Sequence, residues 1–264
     1  MHPILFTIGD FPLHTYGVLG AVAFLLVAGI GLMRGRAIGL VPERVADLVF
    51  ITAITSLIGS RVLFVLQNPE VAVDAWAWVD IRSGGLVFYG ALLTGLPVAS
   101  LVVRWFGFPF FATWDIFATA MPLGHALTRV GCFAAGCCHG LPTNMPWAVR
   151  FTEPGAPAPL HIPLHPTQLY EAAWLLIVGL VVNLRYSRRR FAGEITALYL
   201  LLYALGRGVI EAFRGDATRG YFLPEVFGTW LSYSQGVSVL IALVAVGFAW
   251  AGRRRAQQGE GSPG

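Results

Sequence analysis

Gly124-His-Ala-Leu-Thr-Arg129-Val-Gly-Cys132-Phe-Ala-Ala-Gly136-Cys-Cys-His-Gly140 is the stretch from which the rest of this sequence can be read. It continues an apolar run that begins near Phe117, so Arg129 falls at membrane depth. An arginine there costs about 2.5–3.5 kcal/mol on insertion scales unless it faces protein, water or an anion. Gly131, Gly136 and Gly140 surround it, together with all three cysteines, His125 and His139. Glycines let the backbone turn or let another group approach it closely. A buried permanent cation beside such backbone points to a site for an anionic group.

Composition sets the frame. The chain has 264 residues, 56% hydrophobic and 12% charged, against a usual charged fraction of about 25%. This is an integral membrane protein, and at about 20 residues per span it has room for six to eight spans. All 18 basic residues are arginine, a bias of genome composition and topology rather than a nucleic-acid surface. Cys132, Cys137 and Cys138 form one cluster, not a disulfide framework. The N-terminus has no basic n-region, so the first apolar segment reads as retained.

Taken in order, the sequence predicts an all-α protein with seven transmembrane helices, near 16–33, 46–66, 84–103, 114–133, 167–184, 195–213 and 233–251. Charge sets the orientation. With the N-terminus outside, Arg34, Arg36, Arg44, Arg104, Arg185, Arg188, Arg189, Arg190, Arg253, Arg254 and Arg255 lie inside. Only Arg82, Arg150, Arg214 and Arg219 lie outside, and Arg61, Arg129 and Arg207 fall within spans. This N-out, C-in arrangement follows the positive-inside rule. The connection of about 136–166 is then external. Seven prolines between Pro142 and Pro166 make it an extended, partly ordered arm. Residues 253–264 read as a disordered tail, and the whole as a single polytopic domain with no internal repeat.

Polar residues converge at one level under this topology. His14 and Tyr16 open the first span; Arg61, Tyr89 and Arg129 occupy outer halves; Gln168 and Glu171 begin the fifth. Arg207, Glu211 and Arg214 share one face of the sixth by their spacing of four and three. Arg61, Glu171 and Glu211 read equally well as an internal ion-pair ladder. Asp115 reads as a cap for its own helix. Trp105, Trp114, Trp147, Trp230 and Tyr233 read as interfacial anchors.

These residues resemble the prolipoprotein diacylglyceryl transferase family. The resemblance rests on Leu13-His14-x-Tyr16-Gly17, Gly59-x-Arg61 and Gly84-Gly85-Leu-x-Phe88-Tyr89-Gly90. It continues through Arg129-x-Gly131-x-Phe133-x-x-Gly136, His165-Pro166-x-Gln168-Leu169-Tyr170-Glu171 and Arg207-x-x-x-Glu211-x-x-Arg214. It implies a bacterial inner-membrane enzyme acting at the external leaflet. Phosphatidylglycerol, a membrane lipid, gives its diacylglyceryl group to the lipobox cysteine of a prolipoprotein signal peptide, and sn-glycerol 1-phosphate leaves. Arg129 and Arg207 are its expected catalytic residues, with Tyr89. Tyr16, His14, Arg61, Gln168, Glu171, Glu211, Arg214, Gly131 and Gly136 are expected to bind substrate. No cofactor, metal or nucleic acid is expected.

The sequence departs from the family at three positions. Tyr89 stands for a histidine, Cys132 for an asparagine and Cys137 for a glutamate. Tyrosine, with an unperturbed pKa near 10, is a poor base at neutral pH, which leaves His14, His139 or His165 for the thiol proton. The cysteines read first as small residues lining a crowded turn, ahead of a metal site or a redox switch, and His125 as a packed, hydrogen-bonded histidine. Three rivals stand beside the transferase. One is an anion transporter or channel, one a hydrolase using Cys137 or Cys138 with His139, and one a divergent family member with another lipid substrate.

Overall fold

The computed structural model describes residues 2–9, 11–80, 85–216 and 232–258. Asp10, Arg82, Gly84, Arg219 and Trp230 lie outside the described residues, as do 259–264. The chain forms two compact units: Gly31–Thr113, and Met1–Ile30 together with Trp114–Gly264. The principal helices are α1 (Thr15–Ala37), α2 (Pro42–Gln67), α4 (Phe88–Trp105), α5 (Phe110–Ala135), α6 (Thr167–Tyr186), α7 (Glu194–Glu211) and α8 (Tyr233–Gln257). A one-turn helix α3 (Pro69–Ala72) and a 3-10 turn (Ala75–Trp78) follow α2. Among the described residues, α1, α2, α4, α6 and α8 are long and apolar enough to cross a membrane. The other two long helices, α5 and α7, carry Asp115, Arg129, Arg207 and Glu211 within them.

In Gly31–Thr113, sequence chemistry fixes both helix ends. Gly39 and Gly107 take positive φ and close α1 and α4 in the same way. Leu40 N–H bonds to Gly35 O and Phe108 N–H to Val103 O, a left-handed glycine cap satisfying the last carbonyls. Pro42 opens α2, where its missing N–H costs nothing. Helices α2 and α4 then meet backbone to backbone. A Cβ on Gly59 would lie 2.1 Å from Thr94 Oγ1, and one on Gly90 would lie 2.2 Å from Gly59 O. Thr94 Oγ1 donates across the seam to Thr55 O at 2.9 Å. Small residues allow such approach where lipid removes the hydrophobic drive.

The second unit is held by side chains. Ala118, Val178, Val182 and Ile195 form one buried cluster, and Ala126, Ala172 and Leu175 another, joining α5, α6 and α7. Asn183 Nδ2 donates to Thr119 O at 3.0 Å, and Trp174 Nε1 to Leu202 O at 3.0 Å. Asp115 caps a helix, but not its own. It lies inside α5, fully buried, and its carboxylate accepts from Gly193 N, Thr196 N and Thr196 Oγ1, each at 2.8 Å. Those are the orphan donors at the start of α7.

Several boundaries correct the sequence expectations. Helix α4 begins at Phe88, not near residue 84, because Gly85 takes φ +72 just before it. Helix α8 continues to Gln257, so Arg253, Arg254 and Arg255 are helical rather than part of a disordered tail. Residues before α1 form a hairpin, β1 (Ile4–Ile8) with β2 (Phe11–His14), Ile4 facing His14. The proline-rich connection folds on its own small core. There β3 (Val149–Arg150) pairs with β4 (Pro163–Leu164) over buried Phe151, Ala158 and Leu164, against Phe133.

Candidate active site

The site is assembled where three chain segments are laced at one end of α5, α6 and α7. Gly140 N–H donates to His165 O at 3.0 Å, and His165 N–H to Leu141 O at 3.0 Å. Leu141 N–H donates to Phe213 O at 2.8 Å and Gly215 N–H to His139 O at 3.1 Å. This ties the exit of α5 and the exit of α7 to the start of α6. The side chains just inside the lacing are therefore brought to one level.

Arg129 and Arg207 belong to that level. Arg129 Nη2 lies 3.1 Å from Glu171 Oε1, and Arg129 Nε donates to His125 Nε2 at 3.2 Å. His125 must keep a lone pair on Nε2 to accept, so its imidazole is neutral; it sits 3.7 Å from Glu171 Oε1. Arg207 Nη2 meets Glu211 Oε2 at 2.6 Å, and Arg214 Nη1 lies 4.0 Å from the same oxygen. Arg214 also grips Asp216 through both oxygens, at 2.8 and 2.5 Å. The cluster thus balances three guanidiniums with three carboxylates. Arg207 Nη1 and Gln168 Oε1 are buried with no hydrogen-bond partner among the described residues.

The other expected residues divide by unit. Tyr16 packs on Gly131, where a Cβ would come within 3.2 Å of Tyr16 Cα. His14, Tyr16, Gly136, Phe151 and Glu153 line a cavity of about 320 Å³. Gln168 Nε2 donates to Cys137 O at 2.6 Å, so this residue holds the turn after α5. Arg61 and Tyr89 lie in Gly31–Thr113. Arg61 is buried, donates to Gly85 O at 3.2 Å and stacks on Phe64 at 5.1 Å. Tyr89 is 42% exposed, edge-on to Phe88. A larger cavity of about 430 Å³, lined by Arg190, Glu194 and Arg253, sits at the far end of α7 from Arg207.

The turn after α5 carries the cysteines. Their three sulfurs lie within 4.8 Å of one another. Hydrogen bonds from the Cys132 and Cys137 thiols hold Cys138 below the ordinary thiol range; Arg129 and Arg214 add to this, and burial opposes it. His139 is buried with Nδ1 3.1 Å from Gly140 O, and His165 Nδ1 is 3.0 Å from Tyr170 Oη. His125 is the packed, hydrogen-bonded histidine that the sequence suggests. The convergence of the three sulfurs, ranked from the sequence below a crowded turn of small residues, depends on the backbone of the turn, which spacing alone does not show.

Fold and site together define a multi-pass membrane protein with a buried cluster of arginines and carboxylates. Comparison gives its family. The prolipoprotein diacylglyceryl transferase family matches residues 3–251, and the chain belongs to it. A Thermotoga maritima protein is 35% identical over 218 residues, 81% of this chain and 74% of its own. A Legionella pneumophila protein is 31% identical over 261 residues, 96% of this chain and 98% of its own. One from Clostridium tetani is 28% identical over 248 residues, 93% of this chain and 96% of its own. All three bear the name phosphatidylglycerol–prolipoprotein diacylglyceryl transferase.

Proposed function

We infer that this chain is a transferase that moves the diacylglyceryl group of phosphatidylglycerol onto prolipoproteins. The acceptor is the lipobox cysteine, the product a thioether, and the leaving group sn-glycerol 1-phosphate. The chain crosses a bacterial inner membrane seven times, N-terminus outside. Helices α5 and α7 complete the set of spans because their charges pair inside the protein. The chemistry lies toward the external leaflet, under the proline-rich connection.

The observation that supports the site assignment is Arg129 paired with Glu171, and a buried Arg207 whose Nη1 has no hydrogen-bond partner among the described residues. Breaking the carbon–oxygen bond turns a phosphodiester monoanion into a monoester with a second negative charge. Fixed guanidiniums in a low-dielectric site stabilise that developing charge without reorganising, and their fork matches phosphate bidentately. Glu211 and Glu171 hold the two arginines in register, so the headgroup competes with them for the guanidiniums. Tyr16, His14, Gln168, Arg214 and the backbone at Gly131 and Gly136 shape the headgroup's surroundings. Arg61 and Tyr89 are assigned on the family resemblance. The acceptor attacks as thiolate, and its proton passes to Tyr89 or to His14, His139 or His165.

The test is direct. Purified chain, a lipobox peptide and phosphatidylglycerol vesicles should yield a diacylglyceryl thioether, resolved by mass spectrometry, and phosphatidylcholine vesicles should not. No thioether from folded, detergent-solubilised protein refutes the reading. Tyr89→Phe with unchanged rate and pH profile assigns the proton to a histidine instead.

A further inference from the structure

We propose that Cys132, Cys137 and Cys138 form a three-thiolate site for a thiophilic d10 cation, Zn2+ or Cu+. The residue spacing argued against this, because adjacent cysteines rarely converge on one ion. The fold removes that objection. Gly136 and Cys138 both take positive φ, +74 and +57, and this doubly left-handed turn brings Cys137 and Cys138 to the sulfur of Cys132. Zinc–sulfur bonds of about 2.3 Å put sulfurs about 3.8–4.0 Å apart around one ion, and the three here already lie within 4.8 Å.

Three further observations support a ligand rather than packing. A non-glycine residue in the left-handed region costs about 1–3 kcal/mol, a strain that persists where surroundings over-determine it. At Cys138 they do: Thr167 Oγ1 donates to its carbonyl at 2.8 Å, and Gln168 Nε2 to that of Cys137 at 2.6 Å. Glycine would relieve the strain, so the sulfur is what the position keeps. Arg129 stands one turn before Cys132 on α5, so its guanidinium shares that helix face. Three thiolates on Zn2+ carry one net negative charge and on Cu+ two, which a neighbouring cation offsets. Among the described residues no histidine or carboxylate donor joins the three sulfurs within 4.8 Å, which leaves the fourth position to an exchangeable ligand. That set suits trigonal Cu+, or Zn2+ with an exchangeable ligand.

The inference does not depend on the transferase reading, and its readout is binding, so either can fail alone. The full chain in detergent is reduced, freed of metal and titrated with Co2+ as a zinc probe. We expect one Co2+ per chain, with thiolate-to-cobalt charge-transfer absorption of three-sulfur intensity, displaced by Zn2+. A parallel titration with Cu+ against a chromophoric chelator separates the two ions. Cys132→Ala, placed within a helix that alanine favours, and Cys137→Ser/Cys138→Ser should each weaken binding at least about 100-fold. Absent charge transfer in reduced wild-type protein overturns the proposal, and so does binding that survives in both variants. A Cys132–Cys137 disulfide that, once reduced, yields thiols without metal affinity also overturns it.

Discussion

Two helix seams, one in each compact unit, are held by different forces. Between α2 and α4 the backbones touch: Gly59 and Gly90 leave no space for even a methyl group. Between α5 and α6 the contacts run through Arg129, His125 and Glu171, while Arg207 and Glu211 pair along α7 itself. The first seam is closed by backbone contact, with one cross-seam hydrogen bond from Thr94. The second keeps polar groups at depth, at a desolvation cost that good pairing offsets. Close backbone packing dominates one seam and charge pairing the other, and substitution at the paired arginines is expected to touch the reaction most.

The largest separation is expected at the guanidiniums. Arg129→Ala and Arg207→Ala should each lower thioether formation at least about 1,000-fold, near 4 kcal/mol, as for loss of one anion-stabilising donor. Arg129→Lys, which keeps charge but loses the fork, should recover little. Normal turnover in either alanine variant would erase the contrast between the seams. Next in size is Gly59→Leu, which must force α2 and α4 apart. It should cost about 3 kcal/mol of stability, seen as a lower melting temperature in detergent.

Asp115→Asn probes the charged unit away from its chemistry. One side-chain oxygen is lost to the orphan donors of α7, so about 1–2 kcal/mol of stability should go, with KM for phosphatidylglycerol unaltered. A raised KM would mean that the start of α7 is coupled to the site at its far end. Smallest is Thr94→Val, which deletes the hydroxyl bond to Thr55 O while keeping the shape. About 1 kcal/mol is expected in chemical denaturation. A larger loss would show that the glycine seam depends on polar contacts after all.

Much of the site was legible because its motifs are local. Arg207 and Glu211 pair one turn apart, as their spacing of four implies. Helix α7 ends at Glu211, however, so Arg214 approaches Glu211 from the turn beyond the helix rather than from the helix face the sequence suggests. Asp115 was misread for the opposite reason. Its position near a helix start fits a cap, yet the donors it satisfies lie about 80 residues away. The N-terminal hairpin and the small core around Phe151 were missed because short strands among prolines and glycines carry almost no periodic signal.

By itself the sequence determined that long apolar runs interrupted by single charges must become membrane helices. It also determined which residue types would be costly at depth. Only the tertiary structure decided which of those charges meet. Partnership between Arg129 and Glu171, or among three cysteine sulfurs, depends on backbone turns and interstrand hydrogen bonds that join remote segments. No local pattern encodes such distances, because they follow from chain closure and packing rather than from neighbouring residues.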